Sequence, residues 1–176
     1  NYNWRYALLG SIAFGFSTYM IIILGVGHNT KALALGYLPL VVLGASKIFK
    51  KKLLVGFLIT SLGLGLQIHA NHNQITYYTL MLIGIMFLVF LYEHYRNKKL
   101  KEYIKSFLTL VTSLIIALLL NATPLLATSE YSNFSTRSSS ELSINPDGSK
   151  KTEKSALSKE YITEYSYGKI ESLNLI

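Results

Sequence analysis

The stretch Gly27-His28-Asn29-Thr30-Lys31 separates two apolar runs and decides how the rest of the chain is interpreted. The run before it covers residues 6–26, and the run after it covers residues 32–49. Each run is about long enough to cross the hydrocarbon of a bilayer, which takes roughly 20 apolar residues. The stretch therefore predicts a polar corner that joins two membrane helices at a water interface.

The composition extends this interpretation to most of the chain. Of the 176 residues, 51% are hydrophobic, and the mean hydropathy is +0.35. This exceeds the apolar share of a typical soluble domain, which is about 45–50% even with glycine included. We predict an all-α polytopic membrane protein whose membrane domain covers residues 1–121. It has about five transmembrane helices, at 6–26, 32–49, 53–68, 77–92 and 103–120.

Residues 122–176 have a different composition and predict a small mixed segment outside the membrane. Asn145-Pro146-Asp147-Gly148 carries turn residues in the positions that a tight turn favours, and it predicts a hairpin around 141–148 or a looped-out arm. A short helix is expected over 159–165. The chain begins with Asn1 and ends in an apolar run, so we expect it to be an inner portion of a longer protein.

The basic residues predict the orientation in the membrane. Arg5, the loop at 46–53 and the loop at 93–105 together hold ten Lys and Arg residues, whereas the two polar corners hold only Lys31. Short loops rich in Lys and Arg stay in the cytoplasm. We therefore expect both corners, and everything after Leu120, to face outward. This clustering in loops argues against a nucleic-acid partner, which would require a basic folded face. The absence of Cys excludes a thiolate nucleophile within these residues.

Five short runs in combination carry a resemblance to a known family. They lie at residues 27–31 (GHNTK), 70–78 (ANHNQITYY), 121–131 (NATPLLATSEY), 140–148 (SELSINPDG) and 161–168 (YITEYSYG). Together they resemble the YfhO family of bacterial multi-span membrane proteins, in the form found in Bacteroidetes. The resemblance covers most of the chain.

The resemblance implies a function and a location. The YfhO family is similar to the GT-C superfamily of glycosyltransferases, which transfer a sugar from a polyprenyl-phosphate donor to a cell-envelope acceptor. It implies a multi-pass protein of the bacterial inner membrane, with the lipid bilayer, a lipid-linked sugar donor and an envelope acceptor as partners. GT-C enzymes usually carry a catalytic carboxylate in the first outer loop. The corners here contain no Asp or Glu, so we expect that carboxylate upstream of Asn1.

The first corner supplies three candidate donor-binding residues. Lys31 offers a positive charge to a lipid phosphate, and His28 and Asn29 add hydrogen-bond donors beside the free N–H groups of a helix start. The alternative is an interfacial turn whose lysine reaches toward lipid headgroups.

The second corner and its helix supply the other candidate binding residues, which are His69, Asn71, His72, Gln74, Tyr77 and Tyr78. His72 and Gln74 could bind sugar hydroxyls, and the tyrosines could stack on a sugar face or form an interfacial belt. No cofactor motif is evident, although His28, His69 and His72 could together bind a divalent metal. Polar capping of the turn is the alternative. Buried Gln67 is expected to bond a neighbouring helix.

Glu130 is the candidate catalytic residue within the chain, as a general base, a metal ligand or an orienting group for the acceptor. A solvated surface carboxylate is the alternative. A transporter or a structural envelope protein is the rival function. No predicted span has an ionisable group at its centre, which disfavours ion-coupled transport.

Overall fold

The computed structural model describes residues 3–132 and Thr163, and residues 3–132 are helical and without strands. Seven helices follow one another: α1 (Trp4–Gly15), α2 (Thr18–Gly25), α3 (Asn29–Phe49), α4 (Leu53–His69), α5 (Asn73–Arg96), α6 (Leu100–Leu120) and α7 (Ala122–Ser132). The predicted all-α architecture is confirmed. The predicted hairpin at 141–148, and the predicted helix at 159–165 apart from Thr163, lie outside the described residues.

Four stretches of the described chain are long and apolar enough to cross a membrane. They are Trp4–Gly25, which contains α1 and α2, and helices α3, α5 and α6. Helix α4 is also apolar but has 17 residues. These five stretches coincide with the five predicted spans, and most helices extend two to four residues beyond the predicted bounds.

The first span is broken, which the sequence analysis did not predict. Helix α1 ends at Gly15, and Ser17 is extended, with φ −60° and ψ 143°. The Ser17 hydroxyl accepts a bond from the Met20 N–H (3.4 Å) and so caps α2. Serine is favoured at this position because its oxygen satisfies an N–H group that has no partner in the helix.

Helix α7 lies where we expected the loop after the fifth span to begin. Proline commonly marks the end of a helix, but here a helix that contains Pro124 runs from Ala122 to Ser132. Pro124 is the third residue of α7. A helix tolerates proline in its first turn, because the N–H group that proline lacks would have no helical partner there.

Helices α3 and α4 form an antiparallel pair whose close approach depends on small residues. A Cβ atom added to Gly44 would lie 2.6 Å from the backbone nitrogen of Thr60, and one added to Gly56 would lie 2.6 Å from that of Ile48. Ala45 and Ile48 are fully buried in the same region. Small residues allow this contact in lipid, where packing rather than the hydrophobic effect holds helices together.

Helix α6 is held against this pair by polar bonds near both of its ends. The Ser106 hydroxyl donates to the Ile48 carbonyl oxygen (3.2 Å), and Asn121 Nδ2 donates to the Gly65 carbonyl oxygen (3.0 Å). The basic loops therefore meet at one end of the helices and the polar corners at the other.

The chain divides into two compact units, Asn1–Ala122 and Thr123–Ile176. The first contains helices α1 to α6 with both corners, and the second contains most of α7.

Candidate functional site

The two polar corners lie at the same end of the first unit, and Gln67 of α4 connects the helices that carry them. Gln67 is fully buried. Its Nε2 donates to the carbonyl oxygen of Ala34 in α3 (2.8 Å) and to the hydroxyl of Thr79 in α5 (2.9 Å). Ala34 also packs with Ala70 and Ile75 in a buried cluster. The prediction that Gln67 bonds a neighbouring helix is confirmed, and it bonds two.

The first corner is a glycine turn between α2 and α3. Gly27 has φ +80°, a left-handed conformation that suits glycine. The turn is closed by a bond from the His28 N–H to the Ile23 carbonyl oxygen (2.8 Å). His28 occupies the N-cap of α3, and no side chain caps this helix start. His28 and Asn29 are exposed, so their side chains are available to a ligand.

Lys31, in the first turn of α3, lies over an aromatic ring of the preceding helix. Its Nζ is 5.2 Å from the ring centroid of Tyr19. A cation over an aromatic face is stabilised by about 0.5–1 kcal/mol at an exposed site. The contact restricts where the half-buried Lys31 ammonium can lie. The sequence analysis did not identify Tyr19, because its position in the sequence does not distinguish it from the other tyrosines that lie in apolar runs.

The second corner is a turn between α4 and α5 in which a left-handed asparagine replaces the glycine. Asn71 has φ +54°, and asparagine enters this region more readily than most residues. His72 is the N-cap of α5, and its carbonyl oxygen accepts from the Ile75 N–H (3.1 Å). His69 and Asn71 are exposed, and His72 is half-buried.

Three buried polar atoms beside this corner have no hydrogen-bond partner among the described residues. They are Gln67 Oε1, His72 Nδ1 and Thr76 Oγ1. Leaving a buried polar group without a partner costs about 1–3 kcal/mol. The second corner therefore has hydrogen-bonding capacity that these residues do not satisfy. Thr76 was not among the predicted site residues, although it lies within the run at 70–78.

Gln74, Tyr77 and Tyr78 lie on the exposed face of the first turns of α5. Gln74 Nε2 donates to the Tyr78 hydroxyl (2.8 Å), as residues four apart on a helix can. The Tyr77 and Tyr78 ring centroids are 6.0 Å apart. The three side chains thus form one exposed amphipathic surface.

The described residues hold no group of three or more His, Cys, Asp or Glu side chains that could bind a metal. His28, His69 and His72 are therefore near one end of the helices without forming such a group. The corners offer hydrogen-bond donors, acceptors and one cation, and neither contains a carboxylate.

Glu130 lies in α7, within the second unit, and its side chain is exposed. The helix presents this carboxylate to solvent.

A comparison with known protein families gives a match over nearly the whole chain. The model of the family described as bacterial membrane protein YfhO matches residues 1–174. The chain belongs to the YfhO family. No curated protein and no solved structure matches the chain. The corners described here are thus features of a YfhO-family membrane protein, and the resemblance noted in the five short runs is confirmed at the level of the family.

Proposed function

We propose that this YfhO-family protein is a GT-C-type glycosyltransferase of the bacterial inner membrane, and that its two corners bind the headgroup of a polyprenyl-phosphate-linked sugar. The observation that supports this most is the meeting of both corners at one end of the helices, beside three buried polar atoms that have no hydrogen-bond partner within residues 3–132. A sugar phosphate requires hydroxyl-binding groups next to a cation, and this end of the unit offers both.

Each corner has a separate role in this proposal. Lys31 and His28 stabilise the phosphate as it leaves, which is electrostatic stabilisation of developing negative charge. His72, Thr76 and Gln67 bind hydroxyl groups of the sugar. Tyr77 and Tyr78 provide a surface for the sugar face, and Asn29, His69, Asn71 and Gln74 border the same site.

The reaction that the family resemblance implies is an inverting displacement. The oxygen of an acceptor hydroxyl bonds to the anomeric carbon while the bond from that carbon to the phosphate oxygen breaks. A carboxylate takes the hydroxyl proton. Neither corner contains a carboxylate, and Glu130 is the candidate base within this chain.

The buried polar groups of the membrane helices distinguish this proposal from ion-coupled transport. In the described residues these groups are neutral hydroxyl and amide side chains and His94, and no Asp, Glu, Lys or Arg is buried. Transporters that couple to ions commonly carry ionisable groups within the membrane. This observation supports chemistry at the interface over a transporter or a purely structural envelope protein.

The test is sugar transfer from a polyprenyl-phosphate donor by the purified full-length protein. Lys31→Ala, His28→Ala and Thr76→Val should each lower turnover by about tenfold or more, as the loss of a charged or buried hydrogen bond would. Lys101→Ala and Thr112→Val remove a lysine and a hydroxyl away from the corners and should leave turnover unchanged. Normal turnover in all three corner variants would refute the assignment.

A further inference from the structure

A cavity that opens to the surface, lined by charged and aromatic side chains, lies at the end of the first unit opposite the corners. It has a volume of about 460 Å³ and lies between the C-terminal ends of α3 and α5 and the N-terminal end of α6. This is many times the roughly 30 Å³ share of one water molecule. The cavity can therefore accept a group larger than a single ion.

The charged residues that line the cavity are mainly cationic. Lys50, Lys51 and Lys99 line it, and Glu93 is the acidic residue among the lining side chains. Lys51 pairs with Glu102 at its edge. Lys50 and Lys99 form no ion pair within residues 3–132, so their charges are available to an anion.

The helix ends around the cavity do not require these lysines as caps. After α3, the Lys52 N–H donates to the Lys47 carbonyl oxygen (2.9 Å), and after α5 the Lys99 N–H donates to that of His94 (2.9 Å). Backbone N–H groups thus bond carbonyl oxygens in the last turn of both helices. Lys99 is also the N-cap of α6, which has no side-chain cap, and the positive end of this helix dipole offsets in part the negative ends of α3 and α5, so the cationic field comes from the lysines.

The inner wall of the cavity is aromatic and closely packed. The rings of Phe49 and Phe90 stack with centroids 4.8 Å apart. His94 is buried, and its Nδ1 donates to the Phe90 carbonyl oxygen (2.8 Å), which fixes the ring. A fully hydrated inorganic anion gains little from such a wall, whereas the glycerol and ester carbons of a lipid can pack against it.

We propose that this cavity binds the headgroup of an anionic phospholipid, with the phosphate between Lys50 and Lys99 and the glycerol against Phe49 and Phe90. The cavity lies at the ends of membrane-spanning helices, where a lipid phosphate lies at the same depth. Basic pockets between helices at the cytoplasmic surface bind such headgroups. The site is separate from the corners and does not depend on the proposed transferase activity.

The test is native mass spectrometry of the full chain in detergent, titrated with dioleoyl phosphatidylglycerol. Lys50→Gln with Lys99→Gln should weaken binding by about tenfold or more. The matched control, Lys52→Gln with Lys101→Gln, removes two lysines from the same two segments without altering the lining and should weaken it about threefold or less. Equal losses in the two pairs would overturn the proposal, because they would reflect surface charge alone.

A variant that should bind the lipid more tightly separates the proposal from the effects of misfolding. Glu93→Gln removes the acidic lining residue and should tighten phosphatidylglycerol binding severalfold, which a misfolded protein would not do. Dioleoyl phosphatidylcholine should bind at least about tenfold more weakly. Inorganic phosphate should not displace the lipid at millimolar concentration. Displacement by phosphate, or unchanged affinity in Glu93→Gln, would contradict a lipid site.

Discussion

At the scale of single residues, one carboxamide joins three helices of the membrane domain. Gln67 Nε2 bonds to Ala34 of α3 and Thr79 of α5, and its Oε1 is buried without a partner in the described chain. A hydrogen bond between membrane helices contributes about 0.6 kcal/mol on average. The side chain also fills volume between the helices, so its removal should cost more than its bonds alone.

We expect Gln67→Ala to lower the free energy of unfolding in detergent by about 1–3 kcal/mol, through the lost bonds and the cavity left behind. Gln67→Leu keeps most of the volume and should cost less than about 1 kcal/mol. Gln74→Ala is the control, because Gln74 is exposed at the same corner and, within the described part of the chain, its side chain bonds to Tyr78 alone. An equal loss in the Gln67→Ala and Gln74→Ala variants would contradict the packing role.

The sequence indicates such residues without identifying their partners. A lone Gln in an apolar run predicts a bond to another helix, and Gln67 confirms this prediction. Which helices it bonds depends on how α3, α4 and α5 pack, which periodicity does not determine. The contact between Lys31 and Tyr19 was missed for the same reason, since the two residues lie on different helices.

At the scale of helices, the contact between α3 and α4 explains why particular glycines are required. Gly44 and Gly56 lie where an added Cβ would meet the partner backbone, whereas Gly36 has open space around its Cα. Backbone atoms cannot shift as side chains do, so the two helices would have to separate. Glycine is scattered through several of the predicted spans, and the sequence does not show which glycines form a contact.

We therefore expect Gly44→Ala and Gly56→Ala each to destabilise the protein by about 1–3 kcal/mol through overpacking. Gly36→Ala should be neutral or stabilising by up to about 1 kcal/mol, because alanine has the higher helix propensity. Chemical unfolding of the three variants in the same detergent measures both effects. A loss in Gly36→Ala as large as in the other two would refute a specific contact.

Helix boundaries could be predicted where the apolar pattern changes and not where it continues. The corners at Gly27 and Asn71 interrupt apolar runs and were located from the sequence. The break at Ser17 lies inside an apolar run, so hydropathy gave no signal for it. Helix α7 was missed because Pro124 indicates a helix end unless its place in the first turn is known.

At the scale of the whole molecule, the distribution of basic residues and the packing of the helices both distinguish two ends of the first unit. The basic loops meet at one end, where Lys51 pairs with Glu102 and where the cationic cavity lies. The corners meet at the other end through Gln67. Exposed apolar side chains cover the helices between the two ends, as a bilayer-facing surface requires. The architecture thus provides two interfaces with different chemistry, and the transferase proposal requires the corners to face outward.

Labelling of single cysteines tests this orientation, because the chain contains no Cys of its own. Asn29→Cys and His69→Cys lie at exposed corner positions, and Lys52→Cys and Lys101→Cys lie at exposed positions in the basic segments. Since short basic loops remain in the cytoplasm, a membrane-impermeant maleimide should label the two corner variants in intact cells. The two basic-segment variants should react only after permeabilisation, which also controls for the reactivity of each thiol.

Labelling of Lys52→Cys in intact cells, with protection of His69→Cys, would place the corners in the cytoplasm. A donor presented on the outer leaflet could not reach them there, and the proposed transfer would fail for a geometric reason, whatever the activity of the corner variants.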